Sequence, residues 1–175
     1  MVGSVESAHW RAMTPEDVDE VDRIAQIVHP GLPEDRDVLA EKLKLHPEGC
    51  FILSNSADGT TLGYLFSHPW KAADAPDLDR LIGELPEAEV YYIHDIALLP
   101  AARGLRAGHT ASRMIEAHAR ELGFERMALV SVNNSTGFWV QQGFRIFQVP
   151  ELAAKLETYG CDAVYMTRIL ADNPA

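Results

Sequence analysis

The segment of the sequence best suited to chemistry runs from Leu98 to His109, where a predicted strand ends and a predicted helix begins across a glycine-containing loop. Free N–H groups at a helix N-terminus carry partial positive charge, so they can bind a phosphate or pyrophosphate. Glycine lets such a ligand approach the backbone closely, and Arg103 and Arg106 add positive charge. The same pattern is also typical of an ordinary strand-to-helix turn with solvated arginines. It is neither a Gly-Lys-Ser/Thr phosphate loop nor a Gly-x-Gly-x-x-Gly dinucleotide fingerprint.

A second segment of interest starts where the predicted strand over 127–132 ends. It reads Val132-Asn133-Asn134-Ser135-Thr136-Gly137-Phe138-Trp139-Val140-Gln141-Gln142-Gly143-Phe144. Polar residues precede one amphipathic helix, and a Gly-Phe pair follows it. The alternative is a capped helix that places Phe138 and Trp139 in the core. Ser135 is interpreted as a cap, because no base lies near it in the sequence.

Together the two segments resemble the Gcn5-related N-acetyltransferase (GNAT) family. The run Arg103-Gly104-Leu105-Arg106-Ala107-Gly108 is close to the acyl-CoA signature of that family, Arg/Gln-x-x-Gly-x-Gly/Ala. Asn133 and Asn134, the pair Phe138-Trp139 and the pair Gly143-Phe144 match its downstream signature. The order of elements agrees from about residue 8 to residue 170, and the order and spacing of the two motifs are more specific than either motif alone.

The resemblance implies that acetyl-CoA is the co-substrate and that it lies along the loop and the strand before it. The residues expected to contact it are Leu98, Leu99, Arg103, Gly104, Leu105, Arg106, Ala107, Gly108, His109, Asn134 and Trp139. Two positions depart from the family pattern. Arg106 replaces a loop glycine, and Trp139 replaces a tyrosine that often protonates the leaving thiolate. An indole N–H donates a hydrogen bond but does not supply that proton.

The strand over 90–99 is expected to carry the acceptor side of the site. Period-two alternation places Tyr92, His94, Ile96 and Leu98 on one face and Ile93, Asp95 and Ala97 on the other. The resemblance implies that positions 92 and 94 line the acceptor side, so His94 is predicted to be the general base, with Tyr92 orienting it. A histidine with an ordinary pKa of about 6.5 is mostly neutral at pH 7 and can accept a proton. The alternative is a strand histidine satisfied by a neighbour, and Asp95 is interpreted as structural.

The remaining chemistry-bearing side chains give weaker signals. Four histidines have no partners at the spacing of metal ligands, so no metal is predicted: His9, His29, His46 and His68. Three tyrosines could replace the missing acid, namely Tyr91, Tyr159 and Tyr165. The loop from Lys71 to Glu89 holds six acids against two bases and is long for a strand connection, so it is predicted to border the acceptor side.

These motifs need an α/β (α+β) scaffold to position them. The hydrophobic periodicity and the turn signals predict helices over 14–28, 35–46, 108–122, 135–142 and 151–159, with strands between them. The resemblance implies a mixed, mostly antiparallel sheet of six to seven strands with flanking helices, splayed between strands four and five. At 175 residues the chain is expected to form a single domain over 1–175, with its core at about 8–170.

Composition narrows the function further. A net charge of −11 argues against nucleic-acid and anionic-membrane binding, which need a surplus of Lys and Arg. There is no apolar run of membrane-spanning length and no secretory signal over 1–6, so a cytoplasmic location is expected. Four arginines against one acid over 100–120 favour an anionic small ligand in that region.

The sequence favours an N-acetyltransferase that moves an acetyl group from acetyl-CoA to a primary amine by direct attack in a ternary complex. The acceptor would be a small-molecule or peptide amine, and a homodimer is left open. The main alternative is an acyl-CoA-binding module with little catalysis, which the departures at Arg106 and Trp139 favour. A third hypothesis is a phosphate- or nucleotide-binding domain unrelated to CoA.

Overall fold

A computed structural model describes residues 5–170 of the chain. Residues 1–4 and 171–175, which the single-domain prediction and most of the signal-sequence argument include, lie outside the described residues. The strands are β1 (Ala8–Ala12), β2 (Cys50–Asn55), β3 (Thr61–Trp70), β4 (Val90–Leu98), β5 (Arg126–Ser131), β6 (Arg145–Ile146) and β7 (Val164–Ile169). The helices are α1 (Val18–Val28), α2 (Arg36–Leu45), α3 (Ala107–Glu121), α4 (Thr136–Gln141) and α5 (Ala153–Tyr159).

All seven strands form one mixed sheet in the order β1-β2-β3-β4-β5-β7-β6. Every neighbouring pair is antiparallel except β4 and β5, which are parallel. That pair has register partners only from Tyr91 with Met127 to Ile93 with Leu129. Beyond these residues β4 runs on to Leu98 without pairing to β5. The predicted fold class is confirmed, including the splay between strands four and five.

The helices cover both faces of this sheet with apolar side chains. On one face α3 buries Ala111, Ile115 and Ala119 against Tyr91 and Ile93 of β4. On the other face α1 and α2 cover the β2–β3 end of the sheet, and α5 covers the end near β5 and β7. The amphipathic period of the helices therefore serves two separate cores, as expected for one sheet between two helical layers.

A register shift in β4 overturns the predicted side-chain alternation. Phe66 of β3 pairs with Asp95 and the next residue, Ser67, pairs with Ile93, so His94 is an extra residue on β4. A bulge of this kind inverts the alternation of the residues that follow it. Asp95 consequently joins His94 on the face that α1 and the α1–α2 loop cover. The prediction that these two residues lie on opposite faces was wrong.

The same inversion changes which side chains at the end of β4 face α3. Ile96 packs on the α3 side of the sheet and Leu98 lies beside Ala102 and Ala107, whereas Ala97 faces the α1–α2 core. Elsewhere in the sheet β3 continues to Trp70 and β6 has only two residues, and the segment over 78–82 contains no helix. The backbone of β3 beyond Ser67 stays extended because it remains paired with β4.

Candidate active site

The loop after β4 and the start of α3 form an open cleft of about 470 Å³. Its walls are Ile96, Leu98, Ala102, Arg103, Gly104, Arg106, Ala107, Gly108, His109, Phe138, Gln141 and Gln142. The first intrahelical bond of α3 runs from the Thr110 N–H to the Arg106 carbonyl. The N–H groups of the three preceding residues therefore have no helical acceptor and lie at the positive end of the helix dipole. This is the geometry expected of an anion site.

The backbone at Arg106 accounts for the first departure from the family pattern. Arg106 is the N-cap of α3 and has left-handed backbone angles, φ 54° and ψ 26°. Glycine adopts this conformation without cost, whereas a residue with a Cβ atom costs about 1 kcal/mol or more. The arginine thus takes the conformation that the glycine would take. Its exposed side chain is free to lie along the cleft.

We expect Arg106→Gly to raise the free energy of unfolding by about 1 kcal/mol, because it removes the left-handed strain. Arg106→Asn, which also tolerates this conformation and also removes the charge, is the matched control. Thermal unfolding without CoA would measure the effect of the backbone strain, and thermal unfolding with CoA would measure the effect of the lost charge on binding. A loss of stability in the glycine variant would contradict the assigned backbone conformation.

Most of the residues predicted to bind the cofactor meet at this cleft. Leu98, Arg103, Gly104, Arg106, Ala107, Gly108 and His109 all line it. Leu99 and Leu105 do not line it, because their side chains pack into the α1–α2 core and the β1 end of the sheet. Asn134 also lies away from it, with its N–H donating to Asp162 at 2.6 Å. The remaining prediction, Trp139, belongs to a second cavity.

That second cavity is the gap between the diverging strands β4 and β5, with a volume of about 230 Å³. Its walls are Val28, His29, Ile93, His94, Asp95, Ile96, Leu129, Val130, Val132, Asn133, Ser135, Phe138 and Trp139. Ile96 and Phe138 line both the gap and the cleft. A ligand held at the start of α3 could therefore extend past these two side chains into the middle of the sheet.

No tyrosine is among the described residues that line the gap. Tyr91 bonds to His46 and Ser67, Tyr165 accepts the Ala73 N–H, and Tyr159 donates to the Pro76 carbonyl. The side chain of Trp139 is buried and packs edge-on against Phe144. The Ser135 hydroxyl, interpreted as a cap, does not cap α4 but donates to the Val132 carbonyl at 2.6 Å.

His94, the predicted general base, belongs to a buried polar chain. Its Nε2 lies 3.2 Å from Glu34 Oε1, and its Nδ1 lies 3.3 Å from His68 Nε2. Glu34 also accepts a hydrogen bond from Lys42 Nζ at 2.9 Å. Burial opposes ionisation of Glu34, but the charges and hydrogen bonds of His94 and Lys42 outweigh it and hold its pKa well below the ordinary value.

Both ring nitrogens of His94 face neighbouring polar groups. His68 donates from Nδ1 to the Pro69 carbonyl, and burial, with the nearby charge of His94, lowers the pKa of His68 to about 3. A neutral His68 can then only accept at Nε2, so His94 donates to it from Nδ1. The other nitrogen, Nε2, lies against the carboxylate of Glu34. The role of His94 as general base stays a prediction.

Tyr92, predicted to orient His94, contacts it through packing alone. The two rings lie edge to face with centroids 6.1 Å apart. Tyr92 is fully buried in the α5 core, and burial raises its pKa far above the ordinary value. It lines none of the cavities described here. Its role in orienting the His94 ring stays a prediction.

Sequence reasoning missed a second histidine, His29, at the C-terminus of α1. Its Nε2 lies 2.7 Å from Asp95 Oδ1, and the Tyr64 hydroxyl donates to Asp95 Oδ2 at 2.5 Å. The Asn133 side-chain amide lies 3.1 Å from the other ring nitrogen. No sequence signal could have paired His29 with Asp95, because they are 66 residues apart and only the bulge in β4 turns the carboxylate toward α1.

The acidic loop over 71–89, predicted to border the acceptor side, contributes Leu78 to a cavity of the structure. This side chain lines a small cavity together with Glu34, His94 and Tyr159. The carboxylates of the loop mostly serve the fold instead. Asp74 and Asp77 pair with Lys155, and Asp79 accepts the backbone N–H of Asp35. Fewer carboxylates of this loop are therefore free to attract a cationic ligand than its composition predicts.

Comparison with known proteins identifies the class to which this fold and site belong. A model of the acetyltransferase (GNAT) family matches residues 10–144, and the chain belongs to that family. Membership supports an acyltransferase activity that uses acyl-CoA. The chain matches no curated protein sequence.

Several solved structures share the fold. The chain is similar to GphF, a GNAT-like decarboxylase in complex with isobutyryl-CoA, with 18% identity and a TM-score of 0.77 over 93% of this chain and 100% of that one. It is similar to Ard1 from Thermoplasma volcanium, with 16% identity and a TM-score of 0.71 over 95% and 99%. It is also similar to Rv2747 from Mycobacterium tuberculosis in complex with CoA and NLQ, with 15% identity and a TM-score of 0.72 over 93% and 99%.

Within residues 5–170, no group of three or more His, Cys, Asp or Glu side chains could hold a metal ion. Along the same stretch, no helix has both the length and the apolar character needed to cross a membrane.

Proposed function

We propose that this protein transfers an acetyl group from acetyl-CoA to a primary amine by direct attack in a ternary complex. The observation that carries the proposal is the continuity of the cleft at the start of α3 with the gap between β4 and β5. The pyrophosphate would bind the free N–H groups of Ala107, Gly108 and His109. The pantetheine would pass Ile96 and Phe138, which brings the thioester into the gap.

The backbone of β4 would stabilise the negative charge that develops on the thioester oxygen. The Leu99 N–H donates to the Leu62 carbonyl on the β3 side. Because successive N–H groups of a strand point to opposite sides, the Leu98 and Ile96 N–H groups point toward the gap. A preorganised backbone donor of this kind stabilises an oxyanion more than water does, because it does not reorganise during the reaction.

The absence of a tyrosine in the gap does not prevent turnover. A thiol has an ordinary pKa of about 8.5, so a thiolate leaves without prior protonation. The proton that the amine nitrogen loses on forming the amide can then pass to the sulfur or to water. The reaction is the attack of a neutral amine on the carbonyl carbon, followed by cleavage of the carbon–sulfur bond.

The acceptor would arrive from the opposite side of the sheet from the CoA cleft. A polar cavity of about 510 Å³ opens there between α1 and the α1–α2 loop, and it shares His29 with the gap. Asp22 and Asp35 line it, together with Glu34, which pairs with Lys42, and Arg36, which pairs with Asp19. The carboxylates of Asp22 and Asp35 favour a cationic acceptor, which is the form of an alkyl amine at pH 7, whether from a small molecule or a peptide.

Turnover of acetyl-CoA with defined amines tests the proposal. Thiol release would be followed with n-butylamine, spermidine and a hexapeptide with a free N-terminal alanine, and the acetylated product would be identified by mass. We expect saturable transfer to at least one of these amines. A chain that binds CoA by calorimetry yet acetylates none of them would instead fit the acyl-CoA-binding module that the replacement at Trp139 favours.

A nucleotide-binding protein unrelated to CoA gives a different result. Thermal unfolding in the presence of CoA and of ATP separates the two, because a ligand that binds the folded state raises the midpoint. We expect CoA to raise the midpoint more than ATP at equal concentration.

A further inference from the structure

His29 occupies the point where three cavities meet. It lines the gap between β4 and β5, the small cavity beside His94, and the polar cavity between α1 and the α1–α2 loop. Its side chain is only 12% exposed. An acceptor that enters from the α1 side must pass this ring before it reaches a thioester in the gap. No other described residue lines all three cavities.

The hydrogen bonds of His29 leave one ring nitrogen able to accept a proton. Asp95 Oδ1 holds Nε2 at 2.7 Å, so Nε2 carries the hydrogen and donates it. The Asn133 amide donates to Nδ1 at 3.1 Å, so Nδ1 has the lone pair. The Tyr64 hydroxyl holds the second oxygen of Asp95 at 2.5 Å. This arrangement of a positioned carboxylate behind an imidazole is the one that proton acceptors in enzymes use.

We propose that His29 is the general base of the acyl transfer, that Asp95 positions it, and that Tyr64 positions Asp95; the inference rests on the proposed function. The acceptor ammonium replaces the Asn133 amide beside Nδ1 of His29 and transfers one proton to that nitrogen. The neutral amine then attacks the carbonyl carbon, a carbon–nitrogen bond forms and the carbon–sulfur bond breaks. The amide nitrogen loses its second proton to the thiolate, and His29 releases its proton to water. The net products are an amide, a thiol and one proton.

Charged and titratable groups surround His29 from every neighbouring element. Asp95 and His94 face it from β4, Glu34 from the α1–α2 loop, Asp22 from α1 and, through Asp95, Tyr64 from β3. Burial lowers the pKa of His29, but the charge and hydrogen bond of Asp95, together with the charge of Glu34, outweigh it and raise the pKa above the ordinary value. His29 is therefore protonated, and unable to act as a base, up to a higher pH than a free histidine.

The kinetic test compares His29→Gln with the wild-type protein, using whichever of the three probe amines gives the highest turnover. Glutamine can keep the hydrogen bond to Asp95 but cannot accept a proton. We expect kcat to fall by about 10²–10⁴-fold, CoA affinity by calorimetry to stay unchanged, and the acidic limb of the kcat/KM profile to disappear. Free imidazole should partly restore the turnover of His29→Ala. His9→Gln, which removes an exposed histidine on β1, is the matched control and should leave turnover unchanged.

The positioning residues give a graded series. Asp95→Asn should lower kcat by about 10–100-fold, since second-sphere partners of a histidine have effects of this size, and Tyr64→Phe by less. The NMR signals of the imidazole nitrogens supply a readout that needs no acceptor. His29 should show the Nε2–H tautomer in the wild-type protein, and Asp95→Asn should lose that preference and lower the pH at which His29 titrates.

The outcomes separate this inference from the proposed function. If wild-type protein transfers acetyl groups and His29→Gln does so within about threefold, the inference is wrong and the proposed function stands. The same holds if His94→Gln, rather than His29→Gln, removes the acidic limb. If the wild-type protein acetylates none of the probe amines, the proposed function fails and the inference fails with it.

Discussion

Gly108→Asp should lower the affinity of the protein for CoA by at least about 100-fold, equivalent to about 2.7 kcal/mol. Gly108 is the second residue of α3 and is buried in the wall of the cleft. A side chain there would project toward Phe138 and Leu98, which also line the cleft, and its carboxylate would repel a pyrophosphate from the anion site. Calorimetric titration of CoA into the variant would measure the effect.

Size and charge can be separated at this position. A Cβ atom on residue 108 would lie 3.1 Å from Phe138 Cζ, so the ring must shift by a few tenths of an ångström in any variant. Gly108→Asn has the same bulk as the aspartate without its charge, and Gly108→Ala adds the Cβ atom alone. We expect the affinity for CoA to fall least in Gly108→Ala, more in Gly108→Asn and most in Gly108→Asp. Unchanged affinity in Gly108→Asp would remove the start of α3 from the CoA site.

The cleft at the start of α3 could be predicted from the sequence because it is local. The loop, the following helix and the Gly-Phe exit are contiguous runs, and their residues act through backbone groups that helix geometry exposes. Seven of the eleven predicted cofactor contacts line the cleft, and Trp139 lines the gap. The exceptions are Leu99, Leu105 and Asn134, where the local motif could not indicate which way each residue turns.

The acceptor half could not be predicted, because it depends on contacts between distant segments. The bulge at His94 has no sequence signature, yet it decides that Asp95 faces His29 rather than α3. Glu34, which Lys42 also contacts, likewise lies against Nε2 of His94 from outside β4. A strand pattern alone gives the two faces of β4 but not the position at which they exchange, so it could not place Asp95 beside His29.

His94 on β4 and His29 at the end of α1 differ in the partners of their ring nitrogens. His94 has both ring nitrogens against buried partners, Nδ1 against His68 and Nε2 against Glu34, which suits a structural role. His29 has one nitrogen held and the other at a cavity junction, which suits proton transfer. The difference arises from the partners and not from the intrinsic chemistry of the ring. A change at Glu34 should therefore affect stability first, whereas a change at Asp95 should affect turnover first.

Glu34→Gln should lower the free energy of unfolding by about 3–5 kcal/mol, because it leaves the buried Lys42 ammonium without its anion. The Lys42 and His94 side chains are 2% and 3% exposed, and both bond to this carboxylate. Lys42→Met should lower the free energy of unfolding by less than Glu34→Gln does, since His94 remains to pair with Glu34. The double variant should lose less of this free energy than the two single variants lose in sum. Denaturant unfolding would measure the difference as a coupling energy.

The stability conferred by Glu34 should also depend on pH in a definite direction. Its pKa in the folded protein is lowered from an ordinary 4.5, so the unfolded chain takes up the proton first as the pH falls. The stabilisation is therefore complete above about pH 4.5 and is lost below it, and the difference between wild-type protein and Glu34→Gln should narrow over that range. Glu20→Gln, which removes an exposed carboxylate paired with Arg23 on α1, is the matched control and should change stability by no more than about 0.5 kcal/mol. A Glu34→Gln variant as stable as this control at pH 7 would show that the buried pairs do not stabilise the fold.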